Sequence, residues 1–356
     1  MIGISMLTLN VDAAGGTLTY AREFVRALAR FGRLEYRVFV SANAPDAGDG
    51  LPTTFVAEFP AGRSRSVRVA GLVRAAVLPG RLRGALHPGE LGAIHFPLGV
   101  MLPRVDTPPA VTTVHDLQHE EFPLFFSRGQ RLYRGRVYGW TIRSSRLLIA
   151  ISEHIRRSLI ERHGIDPGRV HTIHHGIDHD VFSPGAGARE PYLVYPANRW
   201  PHKNHDRLFA AFALVRRERP ELRLVLTGTG HERRALPPGV DTRGYVPAGE
   251  LVQLYRTASA LVFPSLYEGF GLPPLEAMAC GCPVAVSRAA SLPEVCGTAA
   301  VYFDPTSVED IARGIDEVLS RPPSGGLEQA ARFTWEECAR RHDAVYRELA
   351  VHPETA

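Results

Sequence analysis

Residues 260–287 read ALVFPSLYEGFGLPPLEAMACGCPVAVS. An apolar run of strand composition enters a turn built from Glu268, Gly269, Phe270 and Gly271, gives way to a segment of helical composition at about 273–280, and ends in a second β-rich run, PVAVS. Pro273 and Pro274 suit the first helical turn, where the N–H that proline lacks has no intrahelical partner. Strand, glycine turn, helix and strand in this order make a βαβ unit, the element from which parallel sheets are wound.

The same alternation extends in both directions. Upstream lie YLVYPAN (192–198), a helix over 204–218, LRLVLTGTG (222–230), a shorter unit around TRGYV (242–246) and a helix over 248–257. The first half opens with IGISMLTL (2–9), the loop NVDAAGG and a segment in which Tyr20, Phe24, Leu28 and Phe31 recur at helical spacing. YRVFV, AIHF, AVTTVHD and RLLIAIS are its further strand candidates. A Gly, Pro and Asp-rich stretch near 176–190 reads as a linker. After SRPPSGG the sequence FTWEECARRHDAVYREL reads as a terminal helix, with Thr334 and Glu337 at capping-box spacing. At 356 residues the chain exceeds one ordinary core, since cores stop growing near ~250 residues, so two doubly wound domains are expected. Such sheets bind ligands at their carboxyl ends, toward a shared cleft.

Charge is distributed unevenly. Residues 1–185 hold 22 Arg against 8 Asp and 8 Glu, a net +6, whereas the remainder carries 19 basic and 21 acidic residues. Arginines 63, 65, 68, 74, 81 and 83 form one basic set and 128, 131, 134, 136, 143 and 146 a second. They are interleaved in no nucleic-acid motif, so nucleic acid is not an expected partner. An anionic membrane surface or a lipid-linked acceptor would suit them, and a solvated basic face explains them as well. The cysteines, Cys280, Cys282, Cys296 and Cys338, match neither a disulfide scaffold nor a zinc ribbon, which fits a reducing cytoplasm. Neither a leader segment nor a membrane span is read, so a cytoplasmic protein is expected, with peripheral contact at the inner face of the membrane as an option. Of 41 basic residues, the single lysine is Lys203, in ANRWPHKNHDRL (197–208). An ammonium is a compact point charge and a guanidinium a broad fork, so the two are not equivalent in a crowded phosphate site.

The glycine turn at 268–271 lets backbone approach a ligand, and the helix start after it favours an anion such as a diphosphate. Glu276 has the chemistry to accept hydrogen bonds from a ribose diol. A tight strand-to-helix turn with a glutamate favouring the helix dipole is the plain alternative. Asp178-His179-Asp180 has an Asp-x-Asp pattern, but Asp after Gly-Ile is ordinary turn chemistry, and strand alternation separates His171 and His175 from His174, so no metal is expected. His119, beside Glu120 and Glu121, reads as a solvated helix start, with an acceptor contact as the alternative. Gly228-Thr229-Gly230 is too short for a dinucleotide fingerprint.

EGFGLPPLEAMACGCPV resembles the signature of the family-4 retaining glycosyltransferases of GT-B fold, with its two glutamates separated by seven residues. ANRWPHKNHDRLFAAF resembles that family's Arg-and-Lys segment, and HTIHHGIDHDVFSP its linker strand, where a Pro-Asn pair is more usual than His174-His175. VHD at 114–116 is similar to the His-bearing loop of the N-terminal domain, and FTWEECARRHDAVY to the helix that crosses back to it. The resemblance implies an α/β protein of two Rossmann-like domains facing a cleft: 1–185, joined by the helix 335–356, for the acceptor, and 186–334 for the donor.

It further implies that Arg199 and Lys203 bind the donor diphosphate, that Glu276 holds the ribose, and that Glu268 contacts the donor sugar with backbone N–H groups of Gly269, Phe270, Gly271 and Leu272. His115 would reach the sugar, Gly15 and Gly16 would close on phosphate, and Gly228, Tyr245 and Val246 would lie near ribose and base. The expected activity is metal-independent hexosyl transfer, needing no cofactor, from a nucleotide-sugar, GDP-mannose first, to a glycan, lipid-linked or small-molecule hydroxyl. Rival expectations are a nucleotide-sugar epimerase on the same fold and a non-catalytic basic binding protein. A two-carboxylate mechanism needs a nucleophile and an acid about 5 Å apart, a pairing that Glu268 and Glu276 do not supply if Glu276 is occupied by ribose.

Overall fold

The computed structural model describes residues 1–9, 16–57, 59, 79–231 and 235–351. It divides by contact into two units, Met1–Gly176 with Trp335–Ala356, and Ile177–Thr334. Gly15 and arginines 63, 65, 68 and 74 lie outside the described residues.

The first unit has strands β1 (Ile2–Ser5), β2 (Tyr36–Val40), β3 (Thr53–Phe55), β4 (Ala93–Phe96), β5 (Ala110–Val114), β6 (Leu147–Ala150) and β7 (Val170–Thr172). They lie in the order β3-β2-β1-β4-β5-β6-β7, and the pairings are parallel. β1, β4, β5 and β6 are buried along their length, the pattern of a sheet covered on both faces. Helix Gly16–Phe31 buries Tyr20, Phe24 and Leu28 on the face that their spacing marks out. The terminal helix Trp335–Val351 belongs to the same unit, adding Cys338, Ala339, Val345 and Tyr346 to that core. Its buried Asp343 accepts a hydrogen bond from the Arg33 N–H at 2.8 Å and another from the Tyr36 hydroxyl.

The second unit has β8 (Glu190–Pro196), β9 (Arg223–Thr227), β10 (Val240–Thr242), β11 (Ala258–Phe263), β12 (Val284–Ser287) and β13 (Val301–Phe303), ordered β10-β9-β8-β11-β12-β13, again with parallel pairings. In both sheets the chain begins centrally, winds to one edge and restarts on the other side. The switch point is therefore β1/β4 in the first sheet and β8/β11 in the second. Two Rossmann-like sheets of this winding make the GT-B fold.

The contact boundary falls at Gly176 and Ile177, although the composition places a linker across 176–190. Ile177 donates its N–H to the Phe333 carbonyl at 3.1 Å, and Arg256 donates to the Ser183 carbonyl at 2.8 Å, so these residues are held by the second unit. The second arginine set is centred on helix Arg128–Ser144, opened by a reciprocal Ser127–Gln130 capping box. Among the described residues no helix is long and apolar enough to cross a membrane, and the four cysteines are buried thiols.

Candidate active site

The candidate residues of the second unit follow the carboxyl ends of β8, β9, β10 and β11, on loops except for Leu272 and Glu276 in helix Leu272–Ala279. The first stitch joins the loops after β8 and β9. Asn198 Oδ1 accepts from the Thr229 N–H at 2.8 Å, and the Arg199 N–H donates to the Thr229 carbonyl at 3.0 Å. Gly228 is required here: its φ is +101°, and a Cβ would sit 2.8 Å from the Ala197 carbonyl carbon. The Gly228 N–H reaches the Gly244 carbonyl at 2.7 Å, which brings the loop bearing Tyr245 and Val246 alongside. Tyr245 is 75% exposed.

The second stitch joins the loops after β8 and β11. Asn204 adopts the left-handed conformation, φ 60°, between the turn Pro201–Lys203 and helix His205–Val215. Its buried amide donates to the carbonyls of Pro264 at 3.0 Å and Pro305 at 2.7 Å. The Leu266 N–H donates to the His202 carbonyl at 2.8 Å.

These stitches fix the two backbones that carry Lys203 and Glu268. Lys203 Nζ donates to Glu268 Oε1 at 2.6 Å, with the side chains only 12% and 13% exposed. The ammonium also lies 5.2 Å from the centre of the Phe263 ring, and the Lys203 carbonyl accepts from the Tyr195 hydroxyl at 2.6 Å. Arg199 has a different partner: its guanidinium pairs with the exposed Asp206 at 2.8 Å, on the adjacent helix. Lys203 and Arg199 thus flank the same loop with different carboxylate partners.

The glycine turn is held from below by Ser291, whose hydroxyl lies 2.5 Å from the Phe270 carbonyl and 2.9 Å from that of Glu268. Gly271 has φ +116°, and a Cβ there would meet Leu292 Cδ2 at 2.7 Å. Helix Leu272–Ala279 follows, with the N–H-free Pro273 and Pro274 in its first turn. Glu276, one turn in, accepts from the Tyr255 hydroxyl at 3.2 Å. Burial pushes its carboxyl up to about 7, partly offset by that hydrogen bond.

In the first unit His115 follows β5. Its Nε2 lies 2.7 Å from the Pro97 carbonyl, which only accepts, so the proton is on Nε2 and Nδ1 keeps its lone pair in the neutral ring. Burial holds the imidazole below its ordinary value, against a smaller opposing pull from the Pro97 carbonyl and Asp116. Gly16 opens helix Gly16–Phe31, and a Cβ there would meet nothing within 4 Å, so packing does not demand glycine.

Asp178 Oδ1 accepts from the N–H groups of Asp180 at 3.0 Å and Val181 at 3.3 Å, the turn chemistry that competes with metal binding. His119 corrects the solvated-helix reading: it is buried against Tyr138, with ring centres 5.4 Å apart. Sequence reasoning did not single out Asn198, Asn204, Tyr255 or Ser291. Asn204 carried a usable signal, because a left-handed residue before a helix is most often Gly or Asn.

The fold is a two-domain α/β one, and comparison with known proteins gives the class. Residues 177–335 match the family described as "Glycosyl transferases group 1", and residues 14–181 match "Glycosyltransferase Family 4". O-antigen chain mannosyltransferase B from Escherichia coli is 33% identical over 268 residues, covering 67% of this chain and 70% of that protein. MMP alpha-(1->4)-mannosyltransferase from Mycolicibacterium hassiacum is 30% identical over 267 residues, covering 67% of this chain and 65% of that protein. Among solved structures, sucrose-phosphate synthase from Thermosynechococcus elongatus superposes with a TM-score of 0.79 at 22% identity, covering 98% of this chain and 99% of that one, a likeness of fold. The chain belongs to the family-4 glycosyltransferases of GT-B fold, and it resembles bacterial mannosyltransferases.

Proposed function

We propose that this glycosyltransferase moves a mannosyl group from a nucleoside diphosphate sugar, GDP-mannose first, to a hydroxyl of a glycan or lipid-linked acceptor, with retention at the anomeric carbon. The observation that carries the donor reading is the Lys203–Glu268 pair on two stitched loops beside a glycine turn that opens a helix. The mannosyl assignment leans on the names of the relatives above. In this reading Lys203 and Arg199 face the diphosphate, and Glu276 accepts from the ribose hydroxyls. Glu268 and the backbone from Gly269 to Leu272 meet the donor sugar and phosphate, while Gly228, Tyr245 and Val246 border ribose and base. His115 offers Nδ1 as an acceptor to a sugar hydroxyl, and Gly15 and Gly16 approach phosphate.

The bond from the anomeric carbon to the diphosphate oxygen breaks, and a bond to the acceptor oxygen forms on the same face. The acceptor proton passes to a leaving phosphate oxygen. Negative charge grows on the diphosphate as the sugar becomes cationic, so the ammonium, guanidinium and backbone dipoles stabilise the transition state more than the ground state. Those fixed cations can take the place of a divalent metal in this plan.

Incubation with a panel of nucleotide sugars and a mannoside acceptor should release GDP from GDP-mannose, with NMR showing the donor's anomeric configuration in the product and activity surviving EDTA. An isomerised sugar formed without acceptor would mean an epimerase, absence of nucleotide release a binding protein, and rescue of an EDTA-killed reaction by Mg²⁺ a metal enzyme.

A ribose-binding carboxylate should be ionised. With Glu276 at about 7 in the free protein, binding that requires the anion gains roughly tenfold in GDP affinity between pH 6 and 8, following the ionised fraction. Calorimetry on Glu276→Gln should show weaker binding that has lost this part of the pH dependence. Equal profiles for the two proteins would remove Glu276 from the nucleotide site.

For the acceptor side we propose contact with an anionic membrane. Helix Arg128–Ser144 exposes Arg128 and Arg136 next to exposed Leu132 and Tyr133, with exposed Leu124 just before it, and residues 122–152 contain no Asp or Glu. The protein should pellet with phosphatidylglycerol vesicles and not with phosphatidylcholine ones, and Leu124→Ser with Leu132→Ser should reduce that; equal recovery in both supernatants would refute it.

A further inference from the structure

Beneath His115 the first unit contains a buried polar chain that the reaction scheme leaves unused. The Tyr346 hydroxyl of the terminal helix lies 2.7 Å from His95 Nδ1. His95 Nε2 lies 2.8 Å from the Thr113 hydroxyl, and Thr113 lies 3.3 Å from the Tyr20 hydroxyl. All four residues are at most 1% exposed. Burial keeps the His95 imidazole neutral, so one ring nitrogen donates and the other accepts. The acidic phenol of Tyr346 is the better donor to Nδ1, which leaves the Nε2 proton for Thr113. Such a chain holds its members in one arrangement, because any broken link strands a polar group in the core.

The chain ends on a ring that touches His115. Tyr20 meets the His115 imidazole edge to face, with centres 4.8 Å apart and planes at 73°, and it also packs against the stacked rings of His175 at 4.4 Å and Phe24 at 5.5 Å. Thr113 stands two residues before His115 on β5, and His95 two before Pro97, the carbonyl that His115 bonds. His115 is therefore held at its Nε2 by Pro97 and at its ring by Tyr20, with the His175 ring a more distant neighbour at 5.8 Å.

We infer that Tyr20 is a positioning residue for His115, and that Tyr346 of the terminal helix fixes Tyr20 through His95 and Thr113. The inference rests on the reading of His115 as a sugar contact. On this account the terminal helix sets the direction of the His115 Nδ1 lone pair, and losing the Tyr20 ring frees the imidazole to turn about its remaining bond. A misplacement of that size costs turnover, about ten- to a hundredfold. Nucleotide affinity should change little, because Lys203, Arg199, Glu276, Gly228 and Tyr245, which this reading sets on diphosphate, ribose and base, belong to the second unit, and only Gly15 and Gly16 approach phosphate from the first.

The test is a double-mutant cycle of His115→Ala and Tyr20→Leu, reading kcat for mannosyl transfer and the GDP dissociation constant. Each single change should lower kcat about tenfold or more with GDP affinity little changed, and the double variant should be no slower than His115→Ala alone. Thr113→Val, which breaks the chain while keeping β5 packed, should lower kcat in the same non-additive way and serves if Tyr20→Leu fails to fold. Tyr20→Phe should keep more activity than Tyr20→Leu. If the losses multiply, or if both Tyr20→Leu and Thr113→Val turn over like the parent, Tyr20 does not act through His115. If His115→Ala itself is fully active, the sugar-contact reading of His115 fails instead.

Discussion

An ammonium and a carboxylate 2.6 Å apart, each mostly shielded from water, stay together only if both backbones are fixed. The second unit meets that requirement with side chains that have no chemical role. Asn204 bonds two carbonyls from outside its own loop, His202 accepts from the Leu266 N–H, and Ser291 supports the glycine turn. The site depends on this constraint: relaxing any of these bonds lets the Lys203 and Glu268 side chains part and turn to solvent. It also defines what a donor must do. In the proposed reading a diphosphate would take over a cation already paired with Glu268, so binding would exchange one anion for another and leave the ammonium neutralised.

The two units use one winding scheme for different surroundings. Around β8 and β11 the loops bring Lys203 onto Glu268, while Arg199 pairs with Asp206 and Glu276 follows on helix Leu272–Ala279. Around β4 and β5 stand neutral, hydrogen-bonded groups: His115 after β5 with its Nε2 committed to Pro97, Thr113 and His95 on the strands themselves, and Tyr20 on helix Gly16–Phe31. The described arginines of residues 1–185 lie outside that interior. Arg128 and Arg136, for instance, are exposed on the helix after β5. Among the described residues no arginine of the first unit is buried, the buried carboxyl there being Asp343, whereas in the second unit the Lys203–Glu268 pair puts charge into the candidate site.

The alternation of strands and helices was legible because parallel strands buried on both faces leave continuous apolar runs, such as ALVF before the glycine turn. Three-residue strands were not: β3 and β13 are too short to show a period, and TRGYV turned out to be mostly the loop after β10, whose residues are Val240–Thr242. The motif residues on one short loop were readable together, since Arg199 and Lys203 lie four residues apart and Glu268 and Gly271 three. What the sequence could not disclose were pairings across long separations: Asn204 with Pro305, Ser291 with Phe270, Tyr255 with Glu276, and Tyr346 with His95. Each partner is an ordinary polar residue until the fold sets it beside the other. Gly16 shows the converse, a glycine noticed for its type at a place where packing does not ask for one.

The central claim is that Lys203 is an ammonium for reasons of shape as well as charge. It reaches Glu268 over the Phe263 ring, and a planar guanidinium would need more room there. The most direct measurement is kcat for Lys203→Ala and Lys203→Arg, with folding checked by circular dichroism. The account predicts a loss of at least ~100-fold for the alanine variant, about 2.7 kcal/mol of transition-state stabilisation, and only partial recovery with arginine. An arginine variant as active as the parent would contradict it, and would make the one lysine among forty arginines an accident of sequence.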